Sequence, residues 1–347
     1  MKILIPEDTR NELYDFLNSI AGSNILFVGG TGLIGRWFLE CFDTINIASS
    51  GVDVTVTGRS RPNWLKNTYG SIRVRFEKLD LQEPRQVLAV LRKISTYNQI
   101  WFFAAPAARE TFAGVSGFSK YKMALASASF LMDCVDRVSP DIIVLASSGI
   151  AVSSKNEVAE KPCGAPDLFG TEESLAHGKR VLERACWELS HQFDLSVSVL
   201  RIFSCYGPYL PTDLHYAFGN FIGNAFRGED IIVNSDGQSK RSYIYASDLI
   251  TMLCLEILRQ LKDTSAKGEF NVVNLGSEVS ISIAELADLI GSFSPDKRVS
   301  VRVLGAVNQS AGNRVRANYV PDMSFSKELG IYRNRVAINE GIASLFS

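Results

Sequence analysis

A glycine-rich turn near the N-terminus constrains the fold of this chain more than any other feature. The apolar run at residues 25–28 has the length of a β-strand, and it stops at Gly29-Gly30-Thr31-Gly32-Leu33-Ile34-Gly35. An amphipathic segment begins directly after it, at Arg36. A strand, a glycine turn and a helix in this order open a dinucleotide-binding unit.

Each glycine of this turn has a physical reason to be there. Gly29 permits the turn, Gly32 lets the backbone approach a pyrophosphate, and Gly35 lets the helix lie close to its strand. The helix N-terminus then offers free N–H groups and a partial positive charge to the phosphates. The spacing is G-x-x-G-x-x-G rather than the commoner G-x-G-x-x-G. We predict cofactor contacts from Gly29, Thr31, Gly32, Leu33, Ile34 and Gly35.

Length and charge bound the class of protein. The 347 residues, 46% of them hydrophobic, suffice for one large α/β domain or two closely joined ones. A formal net charge of −1 does not favour binding to nucleic acid or to an anionic membrane. No apolar run approaches the ~18 residues that would span a bilayer. We therefore expect neither a nucleic-acid nor a membrane partner.

The cysteines and histidines indicate the compartment and the absence of a metal site. The six cysteines are scattered without a C-x-x-C pair, which is typical of buried thiols in a reducing cytoplasm. The N-terminus turns acidic at Glu7-Asp8, too early for a signal peptide. The three histidines lack metal-site spacing. We expect a cytoplasmic protein without a structural or catalytic metal.

The second strand, at residues 52–58, ends without the acidic residue that binds the ribose 2′-hydroxyl in NAD-specific units. Arg59 and Arg61 stand there instead, and a guanidinium suits a 2′-phosphate. The alternative is that both are surface arginines in a turn. We favour NADP(H) over NAD(H).

Three further strand signals follow, each ending in residues suited to a ligand. Residues 74–81 end at Asp80-Leu81, where we expect the adenine edge. Residues 100–103 end at Ala104-Ala105, which would let a cofactor pass close. Residues 141–148 end in hydroxyls, and in open α/β sheets that end faces the ligand. Strand signals that alternate with helices predict an α/β fold with a doubly wound parallel sheet.

Several segments, in order, resemble the extended short-chain dehydrogenase/reductase family, and within it the nucleotide-sugar epimerases, dehydratases and decarboxylases. The resemblance covers roughly residues 24–333. It rests on the glycine turn, Ala104-Ala105, Ser147-Ser148, the run Gly178-Lys179-Arg180-Val181-Leu182-Glu183, the run Arg201-Ile202-Phe203-Ser204-Cys205-Tyr206-Gly207-Pro208, and the segment 236–249 around Arg241. Ser204 replaces the usual Asn of the family's R-x-F-N-x-Y-G-P pattern.

The resemblance implies a Rossmann-like sheet with a smaller, interleaved C-terminal substrate-binding domain. We expect residues 23–203 to form the NAD(P)-binding domain, with a segment at about 242–275 returning to it. Residues 204–241 and 276–347 would form the nucleotide-sugar-binding portion. Residues 1–22 carry apolar positions at helical spacing and predict an N-terminal helical extension. The family also implies a homodimer through the helix at 118–138 and the helix of Lys179.

The resemblance further assigns roles to individual side chains. Lys179 would hold the nicotinamide ribose, and Ser148 would hold the reacting hydroxyl. Arg241 would hold the sugar-nucleotide diphosphate, since its fork of donors suits phosphate oxygens. Arg316 would be a second diphosphate contact, and Ser204 would lie against the substrate.

The residue that carries the family's acid–base chemistry is absent. The family has a Tyr four residues before the Lys, on the same helix face, and this chain has Leu175 there. Losing a positioned general acid–base typically lowers the rate by ~10²–10⁴. His177 lies roughly 200° around a helix from Lys179 and would face away. Tyr206, Tyr243 and Tyr245 could approach only through the fold.

The acid–base residues that other branches of the family use are absent from this chain as well. Dehydratases of the family carry an acidic residue after the fifth strand, and this chain reads Ser147-Ser148-Gly149-Ile150 there. We therefore expect an epimerase, decarboxylase or ketoreductase that passes through a keto-sugar in polysaccharide or glycoside biosynthesis. The alternative is a catalytically silent homologue that binds NADP(H) and sugar nucleotide as a sensor or a partner subunit.

Overall fold

The computed structural model describes residues 2–45, 51–104, 114–152, 166, 173–214, 216–262, 268–296, 298–305 and 318–347. The strands are β1 (Asn24–Val28), β2 (Asp53–Gly58), β3 (Thr68–Tyr69), β4 (Ile72–Lys78), β5 (Gln99–Phe102), β6 (Ile142–Ser148), β7 (Val197–Ile202), β8 (Cys205–Tyr206), β9 (Ile231–Val233), β10 (Lys240–Ser242), β11 (Ile244–Tyr245), β12 (Phe270–Leu275), β13 (Ser280–Ser282), β14 (Val301–Val303) and β15 (Asn318–Tyr319). The α-helices are α1 (Glu7–Ser19), α2 (Leu33–Phe42), α3 (Pro84–Leu91), α4 (Gly117–Val135), α5 (Ser174–Phe193), α6 (Ala217–Arg227), α7 (Ala246–Lys262), α8 (Ile283–Ser292), α9 (Ser324–Glu328) and α10 (Ile338–Phe346).

The main sheet has eight strands in the order β12-β7-β6-β5-β1-β2-β4-β3. Its neighbouring strands run parallel except β3, which is antiparallel to β4. The order reverses between β1 and β5, which is the switch point where open α/β sheets bind ligands. The predicted doubly wound parallel sheet is confirmed.

Helices cover both faces of this sheet because successive side chains of a buried strand point to opposite faces. In β1, Ile25 and Phe27 pack in one core with residues of α1, α2 and α7. Leu26 and Val28 pack in the other core with residues of α3, α4 and α5. Among the described residues, no helix is long and apolar enough to cross a bilayer.

The C-terminal half adds a smaller layer next to the carboxyl ends of the strands. After β7 the chain forms β8, which pairs with β11, while β13, β10 and β15 form a three-stranded sheet. A third core built around Phe218, Leu286 and Ile342 joins these strands to α6, α8 and α10. Between α7 and β13 the chain returns to the main sheet as β12, in register with β7.

Two helix bounds and one cap differ from the sequence expectations. The long helix predicted at 118–138 is Gly117–Val135, where the hydroxyl of Ser116 caps its start by accepting from the N–H of Ser119. The sequence predicts a helix from about Pro84 to Ile94, whereas α3 ends at Leu91 and a 3₁₀ turn follows. A carboxylate directly before the apolar run at 249–258 predicts that Asp248 caps a helix, but Asp248 lies inside α7 and accepts from the N–H of Val336 at 2.9 Å.

Candidate active site

The glycine turn between β1 and α2 is shaped by contacts that exclude side chains. Gly29 has φ of +80°, and a Cβ there would lie 2.6 Å from the backbone nitrogen of Ala104. A Cβ on Gly35 would lie 2.1 Å from the carbonyl oxygen of Gly30. Gly32 caps α2 in an extended conformation, and the helix N–H groups beyond it are aimed at the turn. This cradle fits the pyrophosphate of a dinucleotide.

A side chain at the end of β2, where NAD-specific units carry an acidic residue, would press against Thr31. A Cβ on Gly58 would lie 2.2 Å from the hydroxyl oxygen of Thr31 in the glycine turn. Arg59, the next residue, is exposed. Arg61 donates to the carbonyl of Leu65 at 3.1 Å and to the amide oxygen of Asn67 at 2.7 Å, so its guanidinium is engaged in its own loop.

The remaining cofactor residues predicted from the sequence lie at neighbouring strand ends. Asp80 follows β4, and its carboxylate accepts from the N–H of Gln82 at 3.0 Å. Leu81 packs beside the apolar core next to it. Ala104 follows β5 and lines a small cleft together with Lys179. The predicted contacts Ala105 and Arg316 lie outside the described residues.

Lys179 is buried on the inner face of α5, with 9% of its surface exposed. Its Nζ donates to the carbonyl oxygen of Ala146 in β6 at 2.7 Å. Burial lowers the pKa of Lys179 to about 8, although the nearby Glu183 carboxylate partly opposes the shift. Lys179 thus reaches the carboxyl end of β6 with a charge that is still mostly present at neutral pH.

A buried ion pair lies directly behind Lys179. Glu183 accepts from Nε and Nη2 of Arg201 in β7 at 3.0 and 2.8 Å. The Ser147 hydroxyl donates to the same carboxylate at 2.5 Å. The sequence interpretation included these residues in motifs but gave them no role. The signal was available: Glu183 is four residues after Lys179, so both lie on one helix face.

Leu175 occupies the position one turn before Lys179. It lines the same cleft as Ala104 and Lys179, with Lys120 of α4 also at its wall. An aliphatic side chain therefore lines this cleft one helix turn before Lys179. His177 lines a groove on the outer surface of α4 and α5 instead, which agrees with the expectation that it faces away from Lys179.

Of the predicted substrate residues, Ser148 ends β6 and Ser204 follows β7, whereas Arg241 lies in the three-stranded sheet. The Ser148 hydroxyl accepts from the N–H of Ile150 at 3.4 Å. Ser204, after β7, shares a hydrogen bond with the side chain of Tyr216. Arg241 lies in β10, where its Nη1 donates to the carbonyl of Lys240 at 2.8 Å.

The three tyrosines that the sequence could not place are buried in the C-terminal layer. The Tyr206 hydroxyl donates to the carbonyl of Ala337 at 3.5 Å, and the Tyr245 hydroxyl lies 3.2 Å from that of Ser344. Burial raises the pKa of Tyr243 to about 12, while the charge of Arg241 opposes the shift. These surroundings do not suit a proton carrier at neutral pH.

Fold and site together define a dinucleotide-binding Rossmann protein of the short-chain dehydrogenase/reductase type. A sequence profile described as "NAD dependent epimerase/dehydratase family" matches residues 25–276. The chain belongs to this family, and the predicted family resemblance is confirmed. Its members use NAD, but nothing in the match distinguishes NAD from NADP.

Curated relatives are distant but cover most of the chain. UDP-glucuronic acid decarboxylase 6 of Arabidopsis thaliana is 26% identical over 344 residues, which is 97% of this chain and 91% of the relative. UDP-glucuronic acid decarboxylase 1 of Xenopus tropicalis is 25% identical over 285 residues, which is 79% of this chain and 61% of the relative.

Solved structures share the fold. An epimerase of Methanothermobacter thermautotrophicus superposes with a TM-score of 0.76 at 17% identity, covering 96% of this chain and 94% of the other. UDP-glucose 4-epimerase of Thermotoga maritima gives a TM-score of 0.73 at 18% identity, covering 93% and 97%. At these identities the likeness establishes the fold alone.

Proposed function

We propose that the protein is an NAD(P)-dependent enzyme that modifies a nucleotide-activated sugar through a keto-sugar. The observation that carries the proposal is the placement of Lys179 at the carboxyl end of β6, where it reaches the strand that Ser148 terminates. Family membership supplies the cofactor class, and the decarboxylase and epimerase names of the relatives supply the substrate class.

Different residues of the chain would bind the cofactor and the substrate. The glycine cradle would hold the pyrophosphate, Lys179 would donate to the nicotinamide ribose, and Ser148 would hold the reacting sugar hydroxyl. Arg241 would bind the sugar-nucleotide diphosphate with Ser204 beside it. When bound, the oxidised nicotinamide supplies a hydride acceptor. We favour an epimerase, decarboxylase or ketoreductase because no carboxylate occurs in the run from Ser147 to Ile150.

The direct experiment measures turnover of the purified protein on UDP-, dTDP-, GDP- and CDP-sugars with NAD or NADP. We expect one nucleotide series to be converted, and calorimetry to show binding of the same series. A protein that neither binds nor converts any of these sugars contradicts the proposal.

We further propose that NADP(H) is preferred over NAD(H). Support comes from the end of β2, where Thr31 fills the space that a side chain on Gly58 would need. Arg59 lies exposed beside it and is the group suited to a 2′-phosphate. Arg61 is the weaker candidate because it lies two residues farther along the loop, where its guanidinium donates to Leu65 and Asn67.

The two arginines give a matched test of cofactor choice. We expect Arg59→Ser to weaken NADPH binding by about tenfold or more, the effect of losing a charge-assisted hydrogen bond, and to leave NADH binding unchanged. Arg61→Ser should leave both affinities within about twofold. Tighter binding of NADH than NADPH by the parent protein would contradict the preference.

The alternative function, a silent binding protein, is motivated by Leu175. The Leu175→Tyr variant discriminates because its phenol would lie one turn from Lys179, in the cleft that Ala104 lines. An inactive parent with an active variant would mean that the scaffold is intact but silent. An active parent, with a variant that is no faster, would mean that another group moves the proton.

We also propose a homodimer through α4 and α5. These helices pack closely, since a Cβ on Gly178 would lie 3.0 Å from the Cβ of Ala124. Their outer surface exposes Leu125 and Met132, and a second copy would bury this apolar surface. We expect Leu125→Glu to convert a dimer to a monomer in light scattering, whereas Leu88→Glu on α3 should not.

The division of the chain remains part of the proposal. We assign residues 23–203 to cofactor binding and residues 204–241 and 276–347 to the sugar nucleotide. Residues 1–22 form a helical extension whose α1 packs beside α7. The return of the chain at about 242–275 is supported by the pairing of β12 with β7 in the main sheet.

A further inference from the structure

The hydroxyl of Tyr319 lies at the carboxyl end of β6, next to the proposed substrate residue Ser148. Gly149 directly follows Ser148, and a Cβ built on Gly149 would lie 2.6 Å from the Tyr319 hydroxyl oxygen. The same Cβ would lie 2.5 Å from the ring of Phe203. A side chain at position 149 would collide with the Tyr319 phenol, so the glycine allows the phenol to lie at the end of β6.

Two contacts hold the Tyr319 side chain there. Its ring lies against that of Phe203, with centroids 4.9 Å apart and planes at 33°. Its strand β15 runs parallel to β10, and the Cα of Tyr319 pairs with that of Arg241. Directly paired residues project from the same face of a sheet. The phenol therefore shares a face with the proposed diphosphate ligand.

Burial separates Tyr319 from Tyr243 but not from Tyr216. Tyr319 is half-buried, whereas Tyr243 is 5% exposed. Tyr216 is half-buried as well, its hydroxyl donates to the carbonyl of Cys205 at 3.2 Å, and burial raises its pKa well above the ordinary value. Of these three, Tyr319 combines access with a position beside Gly149.

We propose that Tyr319 is the catalytic acid–base that replaces the phenol missing at Leu175. The proposal rests on the proposed function, because it needs a sugar hydroxyl as the reacting group. In the oxidation step the C–H and O–H bonds of the carbinol break and a C=O bond forms. The hydride goes to the oxidised nicotinamide, and the hydroxyl proton goes to the Tyr319 phenolate. In the reverse step Tyr319 returns the proton.

This assignment moves the acid–base from the cofactor domain to the C-terminal layer. Leu175 is carried by α5, next to Lys179. Tyr319 is carried by the C-terminal three-stranded sheet. A sugar held between Ser148 and Arg241 would therefore meet its proton acceptor from the side of the substrate layer.

The first test compares Tyr319→Phe with the parent on the sugar nucleotide that the parent converts. We expect kcat to fall by about 10²–10⁴, while the dissociation constant of the sugar nucleotide, measured by calorimetry, changes by less than about threefold. Tyr14→Phe on the exposed face of α1 is the control and should retain parental kcat. Equal thermal unfolding of the variants checks that each is folded.

The second test replaces Tyr319 by a ring-fluorinated tyrosine, whose phenol is more acidic. We expect the acidic limb of the kcat–pH profile to move to lower pH, which a packing role would not produce. In cofactor-free protein the ¹⁹F resonance should shift on addition of the sugar nucleotide and not on addition of the corresponding nucleoside monophosphate. An unmoved limb, or a resonance that does not respond to the sugar nucleotide, overturns the proposal.

The outcomes separate this proposal from the proposed function. An active parent whose Tyr319→Phe variant keeps kcat within about threefold overturns the role of Tyr319 and leaves the function standing. A parent that converts none of the sugar nucleotides overturns the function, and the role of Tyr319 with it.

Discussion

The buried amine of Lys179 predicts that cofactor affinity depends on pH. Burial lowers the pKa of Lys179 to about 8, so its positive charge is present below that pH and is lost above it. A protonated amine attracts the cofactor phosphates and donates to the ribose, whereas a neutral amine loses the charge. We therefore expect the dissociation constant of the cofactor to be constant below about pH 7 and to rise above about pH 8.

Variants at two lysines test this dependence in a fluorescence titration. Lys179→Met should raise the dissociation constant at pH 7 by about tenfold to hundredfold, the worth of a hydrogen bond from a charged group, and should abolish the rise above pH 8. Lys93→Met removes an exposed lysine paired with Glu77 and should retain the parental profile. An unchanged pH profile in Lys179→Met would contradict the assignment.

Single residues differ in how far the sequence reveals them. The glycine turn and Lys179 could be identified because their motifs are local, and neighbours in sequence remain neighbours in a turn or on a helix face. Tyr319 lies 170 residues after Gly149 by the numbering, and the two meet only through the pairing of β15 with β10. No spacing rule connects such positions.

At the scale of elements, the Glu183–Arg201 ion pair fixes α5 against β7. Both side chains are nearly inaccessible, and removing one partner leaves the other as an uncompensated buried charge. We expect Glu183→Gln to reduce the free energy of unfolding in urea by about 3 kcal/mol or more. The Glu183 carboxylate also acts to raise the pKa of Lys179. Without that charge the pKa of Lys179 should be lower in Glu183→Gln, so the cofactor dissociation constant should begin to rise at a lower pH than in the parent.

An exposed pair at the end of α6 provides the control. Glu229 pairs with Arg227 there, and exposed pairs contribute about 1 kcal/mol or less. Glu229→Gln should therefore leave the unfolding free energy within about 1 kcal/mol of the parent. Equal losses in the two variants would mean that burial does not govern the strength of these pairs.

Elements of the cofactor half were easier to predict than those of the C-terminal half. Strands buried on both faces appear as continuous apolar runs, so β1, β5 and β6 could be identified directly. Strands such as β8, β11 and β15 have two residues each, which is too short for any hydrophobic period to appear. Asp248 was assigned as a cap because a carboxylate before an apolar run fits that role; its bond to Val336 comes from a distant segment.

At the scale of the whole molecule, the order of strands and helices predicted the sheet, because parallel strands need crossover helices and these have a fixed hand. The interleaving of the C-terminal layer was expected from the family and could not be derived from local patterns. The attachment of the two chain ends to each other was not anticipated at all. Glu12 of α1 accepts from Arg333 at 2.9 Å and from Arg335 at 2.5 Å, across more than 300 residues.

This terminal clasp, Glu12 with Arg333 and Arg335, predicts a pH-dependent contribution to stability. Burial alone would raise the pKa of Glu12, but the hydrogen bonds and charges of Arg335 and Arg333 outweigh it and hold the pKa below the ordinary value of 4.5. A carboxyl whose folded pKa is depressed stabilises the fold above its unfolded pKa and loses that contribution as the pH falls through the folded pKa. We expect Glu12→Gln to reduce the unfolding free energy by about 1–3 kcal/mol at pH 7.

The pH dependence distinguishes this charge effect from a loss of packing. The difference between parent and Glu12→Gln should shrink as the pH falls below about 4.5, because the parental carboxyl then becomes neutral as well. Glu7→Gln, in the first turn of the same helix, is the matched control and should leave the unfolding free energy within about 0.5 kcal/mol at every pH. The unfolding free energies of both proteins are measured by urea titration. A difference between them that is as large at pH 3.5 as at pH 7 would show that Glu12 stabilises the fold through packing rather than through charge.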